Sequence, residues 1–160
     1  MRIKTIDNSD IPVWVELSRE YDRYILEIVP SLTEWYEGNG ELSVSFDKYM
    51  ESKIIKNEAF MVIGDDGGCC GIIAISVANS RITFFAISHK CDFMDAGDIL
   101  LNHALSKMSV RSSITTNIVK SDAEPFQKQH ALFKKYGFTF SHYGLENGVP
   151  VSCMERKVQT

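Results

Sequence analysis

The middle of the chain constrains the fold most, because there the apolar residues leave helical spacing and hold a strand-like pattern across two tight connections. Phe60 to Ile63, Gly71 to Val77 and Arg81 to Ile87 are rich in β-branched and aromatic residues. Asp65-Asp66-Gly67-Gly68 is a strong turn signal, and Ala78-Asn79-Ser80 is a short link. Three strands joined this closely make an antiparallel meander.

Helical periodicity surrounds this meander. Arg2 to Ile6 reads as a first strand, and Asp7 to Asp10 supplies N-cap candidates ahead of Pro12. Ile11, Trp14, Leu17, Ser18, Tyr21, Ile25 and Ile28 then share one helical face, which Pro30 ends. Ser31 to Leu42 is polar and aromatic, with Gly38-Asn39-Gly40 marking a loop before a second helix striped by Phe46, Tyr49, Met50, Lys53 and Ile54. Downstream, Leu101, Ala104, Leu105 and Met108 predict a helix over Asp95 to Ser109, and Ile114 to Val119 a strand. Pro125 opens a helix carrying Phe126, His130, Phe133 and Tyr136, with Gly137 as its C-cap. Phe138 to Leu145 and Val151 to Arg156 close the chain as a hairpin about Asn147-Gly148. With no internal repeat or linker, residues 1–160 read as one domain of α/β (α+β) class.

Charge and composition exclude several functions. A net charge of −4 offers no nucleic-acid or anionic-membrane surface. No apolar run approaches the roughly 20 residues of a membrane span. The polar start, with Asp7 reached before any long apolar stretch, lacks a secretory signal, so a cytoplasmic protein is expected. Cys69, Cys70, Cys91 and Cys153 form no C-x-x-C pair, and two of them are adjacent, which suits no zinc site. They are expected as free thiols, and no metal is expected.

The order strand, two helices, three-strand meander, helix, strand, helix, two strands resembles the GCN5-related N-acetyltransferase (GNAT) family over nearly the whole chain. The most specific local match is Ala131-Leu132-Phe133-Lys134-Lys135-Tyr136-Gly137-Phe138, which looks like the family's A-x-x-L-Y-x-K-x-G-F segment, followed by strands ending in Met154, Arg156 and Lys157. The resemblance implies a mostly antiparallel mixed sheet of six to seven strands flanked by four helices and splayed between the fourth and fifth strands. It further implies acetyl-CoA as cosubstrate, with its pantetheine arm on the backbone of Phe85, Ala86 and Ile87. The family's R/Q-x-x-G-x-G/A phosphate loop falls on Asp92, Phe93, Met94, Asp95, Ala96 and Gly97, with Asp98 following, and only Gly97 of the usual residues is kept.

Those departures have a physical cost. A helix N-terminus carries free amides and partial positive charge, so it suits a pyrophosphate. Asp95 adds a side chain and a like charge where the family has glycine, and Asp98 adds to the field. Lys90 is the only cation nearby in sequence. Phe133 stands where many members place a general-acid tyrosine. A thiol titrates near 8.5, so its thiolate leaves tolerably well without such an acid.

No catalytic residue is assigned from the sequence. Tyr136 and His130 read as packing residues, and Glu20, Asp22 and Asp122 as surface charges. His89, Cys91 and Asp92 are loop neighbours that do not point at one another. Tyr21, Tyr24, Trp35 and Tyr36 form an aromatic group that suits an apolar or cationic acceptor, and core packing explains at least half of them equally well. The resemblance thus implies transfer of an acetyl group to an unidentified small-molecule or peptide amine. The alternative is a catalytically weak or inactive acyl-CoA-binding module.

Overall fold

The computed structural model describes residues 1–32 and 40–158, so Trp35 and Tyr36 lie outside the described residues. Strands β1 (Arg2–Thr5), β2 (Ala59–Ile63), β3 (Cys69–Ser76), β4 (Arg81–Ile87), β5 (Ile114–Val119), β6 (Thr139–Glu146) and β7 (Val149–Arg156) form one seven-stranded sheet in the order β1-β2-β3-β4-β5-β7-β6. Every neighbouring pair is antiparallel except β4 and β5, which are parallel. Four α-helices flank it among the described residues: α1 (Ile11–Ile28), α2 (Gly40–Ile55), α3 (Phe93–Ser106) and α4 (Glu124–Lys135).

The expected elements are present, with shifted ends. Helix α2 begins at Gly40, which glycine and asparagine spacing had marked as loop. Helix α3 begins at Phe93 and not Asp95, because the side chain of Asp92 accepts the Asp95 amide and caps the helix from one residue before it. Pro125 lies in the first turn of α4, where a missing N–H costs nothing, and Gly137 follows its end with φ +90°.

Each face of the sheet buries its own core. Helices α3 and α4 cover Phe60, Val62, Ile73, Ile75, Phe85 and Ile87 with Leu100, Leu101, Leu132 and Phe133. Helices α1 and α2 cover Met61, Ile72, Ala74 and Ala86 with Trp14, Leu17, Tyr21 and Met50. Phe126 leaves the face of its own helix and joins the second core.

The thiol expectation is corrected. Cys70 on β3 and Cys91 in the β4–α3 turn form a disulfide, their Cα atoms 5.6 Å apart, while Cys69 and Cys153 stay free. The partners are 21 residues apart, and only the meander brings them together. No described helix is long and apolar enough to cross a membrane, and no described His, Cys, Asp or Glu side chains group as metal ligands.

Candidate functional site: the fork between β4 and β5

Strands β4 and β5 pair only at Arg81–Thr115 and Ile82–Thr116, then separate. The cause is local. On β3, Ala74 and Ile75 are consecutive, but their partners on β4 are Phe84 and Ile82, so Thr83 is an extra residue in the ladder. A bulge bends its strand and sharpens the twist. Here it sits one residue past the last parallel pair. The Thr116 hydroxyl donates to the Ile82 carbonyl (3.1 Å) at the crotch of the fork, and the Arg81 guanidinium donates to the Thr115 hydroxyl (3.3 Å).

Beyond the crotch, one edge of β4 has no strand beside it among the described residues. The Ser88 amide donates to the Cys70 carbonyl, toward β3. The peptide groups of Ile87 therefore face the fork, and by the two-residue period of a strand those of Phe85 do as well. The edge at Ile87 is nonetheless taken. The Tyr21 hydroxyl donates to the Ile87 carbonyl (3.0 Å) and accepts from the Ile87 amide (3.0 Å), with both partners buried. Burial pushes the Tyr21 phenol well above its ordinary value, against the opposing effect of the bond to Ile87. Tyr21 stands edge-to-face with Phe126 (5.9 Å) and Tyr24 (6.2 Å), so rings from α1 and α4 close this part of the fork.

The turn after β4 is similarly engaged. Glu20 accepts from the His89 amide (2.7 Å) and pairs with the His89 Nδ1 (2.7 Å). The Lys90 amide donates to the Ser88 hydroxyl, and the Cys91 amide to the Ser88 carbonyl. Asp92 takes the Asp95 amide on its side chain and the Ala96 amide on its carbonyl. This leaves the Phe93 and Met94 amides of the first turn of α3, which no intrahelical acceptor can reach. Asp95 is exposed beside them. Asp98 is bound by Lys135 (2.9 Å) and by the Tyr136 hydroxyl (3.1 Å), which compensates its charge. Phe93 and Ala96 are buried, and a Cβ on Gly97 would meet Leu132 Cδ2 at 2.6 Å. Gly97 thus lets α3 and α4 approach closely.

The remaining candidates separate clearly. Phe133 has no exposed surface and packs edge-to-face against Phe85 (5.2 Å) and Phe138 (5.1 Å). The place where the resemblance puts an acid is inside the aromatic core. Tyr136 packs its ring on that core but sends its hydroxyl to Asp98. His130 is half-buried, and burial lowers its pKa. His89, Cys91 and Asp92 point to three different partners, namely Glu20, Cys70 and the Asp95 amide. Asp122 is a surface charge. Glu20 and Asp22 are not. The side chain of Glu20 is 18% exposed, and burial raises Asp22 to about 6 despite the opposing charge of Arg19. Sequence reading missed Thr83, Ser88 and the role of Glu20. The bulge leaves no residue-type signal, and the other contacts join residues distant in the chain.

No family model and no curated protein matches this chain. Solved structures do. The chain superposes on an N-acetyltransferase from Staphylococcus aureus Mu50 with TM-score 0.71 at 10% identity, over 97% of this chain and 100% of that one. A GNAT-family acetyltransferase from Bacillus cereus gives TM-score 0.62 at 15% identity, over 99% and 98% of the two chains. The chain has the fold of the GNAT acetyltransferases. Arabidopsis thaliana Naa50, in complex with a bisubstrate analogue joining CoA and an acetylated peptide, gives TM-score 0.58 at 15% identity over 96% of each chain. The sheet, its parallel pair and its fork are thus those of the GNAT fold.

Proposed function

We propose that residues 1–160 form a single cytoplasmic acyl-CoA-dependent N-acetyltransferase that acts on a small-molecule or peptide amine. The observation that carries this reading is the fork: past Ile82 the outward peptide groups of β4 have no strand beside them among the described residues. An extended amide-bearing arm is the kind of ligand that binds a free strand edge, because it supplies the missing donors and acceptors. Phe85 and Ile87 form that edge, while the peptide groups of Ala86 between them turn toward β3, and the start of α3 from Asp92 to Asp98 follows it. The peptide at Phe85 would hold the acyl carbonyl, and an amine would attack its carbon directly, forming the amide as the C–S bond breaks and CoA leaves as a thiolate that takes up the proton the amine loses.

As they stand, the residues fit the cosubstrate poorly. Tyr21 holds Ile87, several loop amides are used internally, and Asp95 opposes phosphate charge. We therefore expect weak acetyl-CoA binding. These same features, with Phe133 buried, favour a second reading: an inactive acyl-CoA-binding module of this fold. Titration with acetyl-CoA followed by free-thiol release over a panel of amines tests both. Binding with turnover supports the transferase, binding without turnover on any amine supports the module, and no binding at millimolar acetyl-CoA removes both.

A further inference from the structure

Among the described residues, the two bonds of Tyr21 to Ile87 have no counterpart elsewhere on β4. Its outward edge is bonded by β5 at the crotch and by a single phenol at the far end. A hydroxyl that both donates to and accepts from one residue's peptide groups makes the pair of bonds a neighbouring strand would make. Tyr21 thus occupies the edge as a one-residue stand-in for a strand. Glu20, its neighbour in sequence, fastens the same stretch of α1 to His89 two residues further on. Helix α1 is tied to the end of β4 at two successive points, both where an extended ligand would lie.

We propose that Tyr21 is an internal latch on the acyl-CoA arm site, and that ligand binding requires its hydroxyl to leave Ile87. The proposal rests on the reading of the fork as an acyl-CoA site. The single Ile87 N–H cannot donate to Tyr21 and to an incoming carbonyl together, so the free protein and the complex compete for that bond. Ile87 regains each partner that it loses, whereas the buried Tyr21 hydroxyl must find new ones. Opening α1 then reduces apparent affinity by the fraction of time the edge is free. The ring of Tyr21 remains packed on Phe126 unless the helix moves, so the hydroxyl is the part that can be removed alone.

The test is Tyr21→Phe, which keeps the ring and leaves the Ile87 peptide groups unpaired in the free protein but paired in the complex. Acetyl-CoA affinity by calorimetry should rise about tenfold, the scale set by stranding a buried peptide group. Amide exchange at Ile87 should quicken in the free variant and slow again when acetyl-CoA is added. A purely structural role for Tyr21 would quicken exchange without tightening binding. Equal or weaker affinity in the variant, where the wild type binds, overturns the latch and leaves the acyl-CoA reading intact. Unchanged Ile87 exchange in the free variant also overturns the latch. Binding by neither protein at millimolar acetyl-CoA removes the reading and the latch with it. Should the variant not fold, the wild type answers alone: saturating acetyl-CoA should lower amide protection across residues 17–24 of α1, and unchanged or raised protection there overturns the proposal.

Discussion

The two faces of the sheet are held by different means. Under α3 and α4 the core is almost wholly apolar, built on Phe85, Leu100, Leu132, Phe133 and Phe138, and its cohesion scales with buried area. Under α1 and α2 the apolar core is joined by buried polar tips that end on the strands. Lys53 donates to the Ile75 carbonyl and pairs with Glu58, whose other oxygen accepts the Val77 amide. Tyr49 bonds the hydroxyl of the bulge residue Thr83, and Tyr21 bonds Ile87. Burial raises the Tyr49 phenol to about 12, against its bond to Thr83. Directed bonds can be broken one at a time, whereas an apolar face yields only as a whole. The Tyr21 hydroxyl that bonds the edge of the fork belongs to the α1–α2 face.

Substitutions can break or sharpen this contrast. The largest effect is expected at Lys53. Burial lowers its pKa, against the pull of Glu58, and the two side chains are 9% and 10% exposed. Lys53→Met strands Glu58 and should cost about 3–5 kcal/mol by urea denaturation. Adding Glu58→Leu should restore much of the loss, and a double variant no better than the single would mean the face is held by area alone.

The opposite face carries the bonds of Lys135 and Tyr136 to Asp98 at its rim, and one covalent tie. The Cys70–Cys91 disulfide closes a stretch of 21 residues, so its reduction should cost about 2–4 kcal/mol. Thermal unfolding with and without reductant, and of Cys91→Ser, measures it. In a reducing compartment the pair would be held as thiols and the turn after β4 would lose this tie.

Asp22 provides a pH-dependent contrast on α1. Its folded pKa of about 6 lies above its unfolded value near 3.9, so the folded state holds its proton longer. Folding is then favoured below about pH 4, loses stability as the pH rises through 6, and carries the full cost of the carboxylate above that. Asp22→Asn should be neutral at pH 4 and stabilising by about 1–2 kcal/mol at pH 7.5, allowing for partial exposure. Equal shifts of the urea midpoint at both pH values would show that burial is not the cause.

The smallest effect is expected at the rim of the fork. Asp95→Gly removes one exposed charge beside the Phe93 and Met94 amides and should tighten acetyl-CoA about fivefold, near 1 kcal/mol. The gain should shrink with added salt. A salt-independent gain would point to the lost side-chain bulk instead of charge.

The sequence by itself determined the element order. The meander, the helix opened by Pro125 and ended by Gly137, and the hairpin at Asn147-Gly148 all rest on periods and turn residues that act within a few positions. It also placed the strands on either side of the fork, since spacing from Ile87 to Gly97 needs only counting. Tertiary structure alone decided what fills that fork. Thr83 becomes a bulge only against β3, Cys91 finds Cys70 only across the meander, and Gly97 proves to be a packing residue only beside Leu132. Tyr21 reads as an apolar helix position or part of an aromatic acceptor wall until its hydroxyl reaches Ile87, 66 residues away. The physical reason is common to all four. Periodicity and turn chemistry act locally, but the bonding of a strand edge depends on whichever group the whole fold brings beside it.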